Sequence, residues 1–186
     1  MADEAIELTE PAHDAPPVFR EADERRLHVR AWHHWASLQR GRLLPAPADL
    51  DVTRLGALAA NAVVVEPGGA RPRLGFVGER LRAEAGLAVG GEPLLLSDVP
   101  AGTVLARLTE PVADVVARRS PVRFEAEFVS ARGCETLCRG VLLPLSSDGA
   151  AVDALFGVVN WKEIAAPALA DRLAAEIAAS LGAARA

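Results

Sequence analysis

A chain of 186 residues that is 51% apolar and 24% charged holds enough material for one packed core and too much apolar content for general disorder. Its formal charge of −5 comes from Arg and Glu interspersed along the chain, which excludes the clustered basic surface used to neutralise nucleic-acid phosphates. The acidic opening MADEAIELTE lacks the basic start and apolar run of a secretory leader, and no window approaches the roughly 18 apolar residues of a membrane helix. The expectation is a cytoplasmic protein with neither nucleic acid nor membrane as partner.

Residues 1–17, with Pro11, Pro16 and Pro17 among acids and no periodicity, read as a flexible tail. An amphipathic helix is expected over 18–41, because Leu27, Ala31, Trp35 and Leu38 share one side, His28, Trp32 and Gln39 widen it, and Gly41 stops it. Pro45 and Pro47 keep the following segment extended, and Asp51 to Asn61 reads as a short helix capped by Asp51 or Thr53. Ala62 to Glu66 and Arg73 to Val77 pair as a hairpin across Pro67-Gly68-Gly69. Glu79 to Ala85 is a short helix closed by Gly86, and Gly90-Gly91 opens a loop. Helix follows from about Pro100 to Arg119, with Leu105, Leu108, Val112 and Val115 on one side and Pro111 forcing a kink or a restart.

Val122, Phe124, Ala126 and Phe128 alternate with Arg123, Glu125 and Glu127, the pattern of a strand with one buried and one wet face. Thr136 to Leu145 and Val152 to Trp161 are two further strands, joined through Ser146 to Ala150, whose Asp-Gly step suits a tight hairpin. Both are apolar on two sides: Val141, Leu143 and Leu145 oppose Cys138 and Leu142, while Leu155, Val159 and Trp161 oppose Ala154, Phe156 and Val158. Such strands need cover on both sides. The domain's helices supply one cover, and the amino-terminal helix, from the same chain or a second copy, the other. A final helix over 163–186, beginning near Pro167, carries the stripe Leu169, Leu173, Ile177 and Leu181.

The segment from Trp35 to Asp51, WASLQRGRLLPAPADLD, with its Trp, Arg-Gly pair, Pro and Asp-x-Asp, resembles the opening signature of a standalone bacterial PAS-like family. LPLSSDGAAVDALFG, from Leu143 to Gly157, is similar to that family's final hairpin, and FVGERLRAEAGLAVGGEPL, from Phe76 to Leu94, to the element between. The likeness spans about Trp32 to Trp161; Pro47 departs from it where a basic residue is usual, and Val52 where a proline is. It implies an α+β fold: a PAS-like five-stranded antiparallel sheet with helices on one face over 42–162, plus the two terminal helices. It also implies a sensory or docking role, often as a dimer.

The space between the sheet and the helix of Leu105 and Leu108 is then a candidate pocket for a small apolar ligand, lined by Phe76, Leu105, Leu108, Phe124 and Phe128. Interface candidates are Leu27, Ala31, Trp32, Trp35, Leu38 and Trp161. No catalytic or metal-binding set emerges. His33 and His34 are adjacent and diverge by roughly 100° on a helix, so with His28 they read as solvated. Cys134 and Cys138 stand roughly 13 Å apart on an extended strand and form neither disulfide nor zinc site. Turn chemistry accounts for Asp148 and Asp153. Haem is disfavoured because no His follows His34, and a photochemical flavin because neither Cys lies in a helical Asn-Cys-Arg type motif.

The reading is a non-catalytic regulatory module that acts by homodimerisation through its amino-terminal helix and outer sheet face, and by contact with a regulatory protein partner. One alternative is a cone-shaped α+β isomerase or hydratase, disfavoured by the absence of Tyr and restored by a buried carboxylate at a cavity floor. The other is a structural adaptor without a ligand.

Overall fold

The computed structural model describes residues 26–88 and 94–164. The expected tail, the first turns of the amino-terminal helix, the Gly90-Gly91 turn and the carboxy-terminal stripe from Leu169 to Leu181 lie outside the described residues. Within them run α1 (Leu27–Leu38), β1 (Ala62–Glu66), β2 (Arg73–Val77), α2 (Glu79–Glu84), α3 (Val104–Thr109), α4 (Val112–Arg118), β3 (Val122–Val129), β4 (Glu135–Leu145) and β5 (Ala154–Ile164). The strands form one five-stranded antiparallel sheet in the order β2-β1-β5-β4-β3. The chain therefore makes a hairpin at one edge, crosses the sheet with helices, and returns through three consecutive strands, which is the PAS-like α+β arrangement that the sequence led us to expect.

Residues paired directly across antiparallel strands share a face, so the register sorts the side chains. Val63, Gly157 and Leu142 form one row, and a Cβ on Gly157 would meet Val63 Cγ1 at 2.8 Å, Leu142 Cδ1 at 3.1 Å and Leu108 Cδ1 at 3.2 Å. This is the inner face, packed by α3. Its neighbours Val64, Phe156 and Leu143 define the outer face. Leu143, Phe156, Val141 and Val158 are fully buried although they face away from α3, so the outer face has its own cover.

Several local expectations are corrected. Asp51 to Asn61 forms two 3₁₀ segments, Val52–Arg54 and Gly56–Asn61, in place of an α-helix, with Gly56 at φ +55° opening the second. Asp51 does cap the first, its Oδ1 accepting from Thr53 N at 2.9 Å. Pro47–Asp49 is a further 3₁₀ turn where extended chain was expected. Pro111 produces a restart: Thr103 Oγ1 caps α3 by accepting from Ala106 N, and α4 begins at Val112. β5 continues to Ile164, through positions assigned to the last helix.

The β4–β5 connection is longer than a two-residue turn, since Leu145 pairs with Ala154. Asp148 Oδ1 accepts from Ala150 N at 2.8 Å and Ala151 N at 3.0 Å, and Asp153 Oδ2 accepts from Ser147 N at 3.0 Å. The bonds from the Ala151 and Ala150 amides, with that from Ser146, hold the Asp148 carboxyl below its ordinary range.

Candidate functional site

The cover of the outer face is α1 of the same chain. Ala31 is fully buried and Trp35 is 5% exposed, and the indole N–H of Trp35 donates to Pro144 O at 2.8 Å. That carbonyl is free for a topological reason. The β3–β4 ladder ends at Val122 and Leu142, so Pro144 lies beyond the end of β3, where its missing N–H costs no ladder bond. The chain after α1 reinforces the latch. Arg40 (φ +46°) and Gly41 (φ +82°) reverse direction, Arg40 and Arg42 both pair with Asp49, and Ser146 N donates to Pro45 O at 2.8 Å. The Trp, Arg-Gly and Pro of the signature thus bind the helix to the end of the sheet. The Arg42 side chain, with Arg40, keeps the Asp49 carboxyl lowered.

Further along α1, His34 sets its ring edge-on to Phe156 with centroids 6.3 Å apart, so it is packed and not solvated as expected. Trp32 is half-buried, tilted against Trp35 at 5.8 Å, and carries the Arg123 guanidinium 4.5 Å above its ring. Beyond the first turn of α1 no other described residue covers the outer face. There a cleft of about 580 Å³ runs between Leu27 and His28 on one side and Glu125, Glu127, Leu137 and Lys162 on the other. Val129, Leu137 and Ile164, at 66%, 40% and 39% exposure, lie on this same face by register.

The interface candidates therefore divide. Ala31 and Trp35 are used within the chain, while Leu27, Trp32 and Leu38 keep partial exposure on α1. Trp161 is on the other face: it pairs with Cys138, which pairs with Ala126, and Arg80 of α2 lies 4.7 Å over its ring. Arg80 also donates to the buried Asn61, whose amide donates to Val159 O at 2.8 Å, a cluster that sequence reasoning missed because its members are far apart in the chain.

Of the pocket candidates, Leu105 and Leu108 are fully buried on the inner face, and Phe124 and Phe128 are half-buried there, with Arg107 lying 5.0 Å over Phe128. Phe76 is not among them. It pairs with Val64, whereas Leu74 pairs with Val65, because the ladder shifts by one residue between Val64 and Val65. That irregularity turns Phe76 to the outer face, across the sheet from Leu105 and Leu108.

Among the described residues, Glu84 carries a deeply buried carboxylate. The Glu84 side chain is 3% exposed, and burial pushes its carboxyl up. Its Oε2 accepts from Val104 N at 2.9 Å, at the first turn of α3, and its Oε1 is 4.0 Å from Arg132, which also pairs with Glu163. The carboxylate that would favour an isomerase is thus engaged in holding a helix start. Cys134 precedes β4 and Cys138 is buried within it, its thiol pushed up by burial. Among the described residues no three His, Cys, Asp or Glu gather as metal ligands, and no helix is long and apolar enough to cross a membrane.

No protein-family model matches the sequence, and no curated protein matches it. Among solved structures, a LOV protein of Rhodobacter sphaeroides is similar at 13% identity and a TM-score of 0.40, with 55% of this chain and 59% of that chain covered. A light-oxygen-voltage domain studied with a flavin analogue is similar at 14% and 0.40, covering 67% and 91%. The PAS domain of Bordetella pertussis BvgS is similar at 14% and 0.34, covering 62% and 84%. The chain spans less than two thirds of the Rhodobacter protein. Likenesses this slight carry no argument about ligand or activity, and they lend no support to the expectation that flavin is disfavoured, which rests on the cysteines. The strand order carries the class: a PAS-like α+β domain.

Proposed function

We propose that this chain is a non-catalytic regulatory module that works as a homodimer and transmits its state by contact with a partner protein through α1 and the outer sheet face. The observation that carries the reading is the division of that face. Among the described residues, one half is sealed by the Trp35 latch, and the other is left open beside Leu27, Leu137 and Lys162 with apolar residues exposed. Apolar Val129, Leu137 and Ile164 stand there among the charged Glu127, Glu135 and Lys162, a mixture suited to a protein contact.

The non-catalytic reading is supported by the use made of Glu84, whose acceptor oxygen serves the start of α3. On the inner face, Leu108 closes on Gly157 and Leu105 is fully buried where an apolar ligand would sit, and a regulatory role by contact needs no ligand there. Sedimentation of the full-length chain tests the dimer: a mass of two chains is expected, and one chain at every concentration contradicts it. A native mass spectrum and a visible absorbance spectrum test the rest. The expected results are the mass of the polypeptide alone and no flavin absorbance; a constant added mass or a flavin spectrum would make the chain a ligand sensor instead.

A further inference from the structure

The two edges of the sheet differ. On the β2 edge, Leu74 N donates to Leu94 O and Leu96 N donates to Pro72 O, both at 2.8 Å, so a short segment covers it. On the β3 edge, among the described residues, no backbone group outside β4 pairs with Val122–Val129. The strand has an unbroken register, no proline, no lysine and no bulge, and the charges it carries, Arg123, Glu125 and Glu127, are of both signs.

Its phase follows from one bond. Ser130 N donates to Cys134 O at 2.8 Å, in step with the ladder. Bonded and non-bonded pairs alternate in an antiparallel ladder, so Phe128, Ala126, Phe124 and Val122 bond to β4. Arg123, Glu125, Glu127 and Val129 therefore turn their N–H and C=O groups outward.

We propose that this edge binds the same edge of a second copy, antiparallel and centred on Glu125, joining the two sheets into one. The proposal rests on the homodimer reading above and assigns its surface. In this register every outward group from Arg123 to Glu127 exchanges backbone hydrogen bonds, and Arg123 of each copy lies opposite Glu127 of the other. Opposite charges placed directly across strands are favourable, and like charges are not.

Glu125 meets its own copy, but each is already paired with Arg139 at 3.1 Å. A shift of two residues one way sets Glu125 against Glu127 twice. The other way sets Arg123 opposite Glu125 twice but leaves only those two pairs with both backbone bonds, since Glu127 then meets Pro121, which has no N–H to give; the register centred on Glu125 completes three pairs and leaves Pro121 to Val129 at the end. The self-complementary charge order makes a second copy the fitting occupant, and both copies then present α1 and its cleft on one surface.

Charge reversal tests this, because Arg123 and Glu127 are both exposed and far-UV circular dichroism will report an intact fold. Arg123→Glu and Glu127→Arg are each expected to weaken the dimer roughly tenfold in sedimentation equilibrium. The double swap is expected to restore it, since it rebuilds both cross-strand pairs. Hydrogen exchange should show the amides of Arg123, Glu125 and Glu127 protected in the dimer and open in the dilute chain. A dimer indifferent to both reversals, or one whose outward amides exchange freely, overturns the edge assignment and leaves the homodimer standing. A wild-type chain that never dimerises overturns both, and protection that appears only with an added extended peptide gives the edge to a foreign strand.

Discussion

Trp35 combines burial with a polar obligation: its ring is 5% exposed, and its N–H meets a carbonyl that no strand reaches. Trp35→Phe keeps most of the apolar contact and strands Pro144 O, so it is expected to cost about 1–2 kcal/mol and to lower Tm by roughly 3–8 °C. Gly157 has the opposite problem, for three side chains already occupy the space of a Cβ. Gly157→Ala is expected to cost about 1–3 kcal/mol in chemical denaturation, through overpacking against Leu108 and Val63. Glu84 supplies a pH signature. Its folded carboxyl is raised by burial, so the contribution of protonation is fully present below the ordinary carboxylate range and is lost as pH rises through the raised value. Glu84→Gln should remove that decline while its amide oxygen still accepts from Val104 N. The stability of wild type relative to the variant is therefore expected to fall between acid and neutral pH in urea titrations, and a constant difference would show that Glu84 does not titrate in this way. Asp148 has the opposite sign. Its carboxyl is lowered by the Ala151, Ala150 and Ser146 donors, so Asp148→Asn should lower Tm at neutral pH, with the gap closing below the carboxylate range.

At the scale of elements, the strands were the most legible part of the chain. Val122 to Phe128 announces a half-wet strand by strict alternation, and two-sided apolar runs in β4 and β5 announce a sheet that must be covered twice. Phe76 shows where alternation fails. A single irregularity in the β1–β2 ladder reverses its face, and nothing in the period-two pattern of RLGFV marks the shift. The face of Trp161 was open for a related reason: an aromatic on a two-sided strand belongs equally to either face until the helix carrying Arg80 is placed. The segment from Asp51 to Asn61 has caps and leucines that suit an α-helix, but Gly56 at φ +55° divides it into tighter turns. The signature around Trp35 was legible as a resemblance, whereas its physical task, binding α1 to Pro144 and Pro45, emerged only from the geometry. A chain beginning at Arg42 would lack that cover and expose Val141, Leu143 and Phe156. It is expected to bind a hydrophobic dye strongly and to aggregate, and a well-behaved monomer with a sharp transition would show that the outer face needs no helix.

For the molecule as a whole, the sheet has an inner face filled by its own helices and an outer face closed for half its length. Among the described residues, what remains is surface: a cleft beside α1, exposed Val129, Leu137 and Ile164, and a β3 edge that no other strand covers. We read these features as contact surfaces, and the deeply buried Glu84 carboxylate already holds a helix start. Sedimentation equilibrium of the full-length protein across a wide concentration range tests this account most directly. The account predicts a reversible species of two chains that dissociates on dilution; a single chain throughout would contradict it.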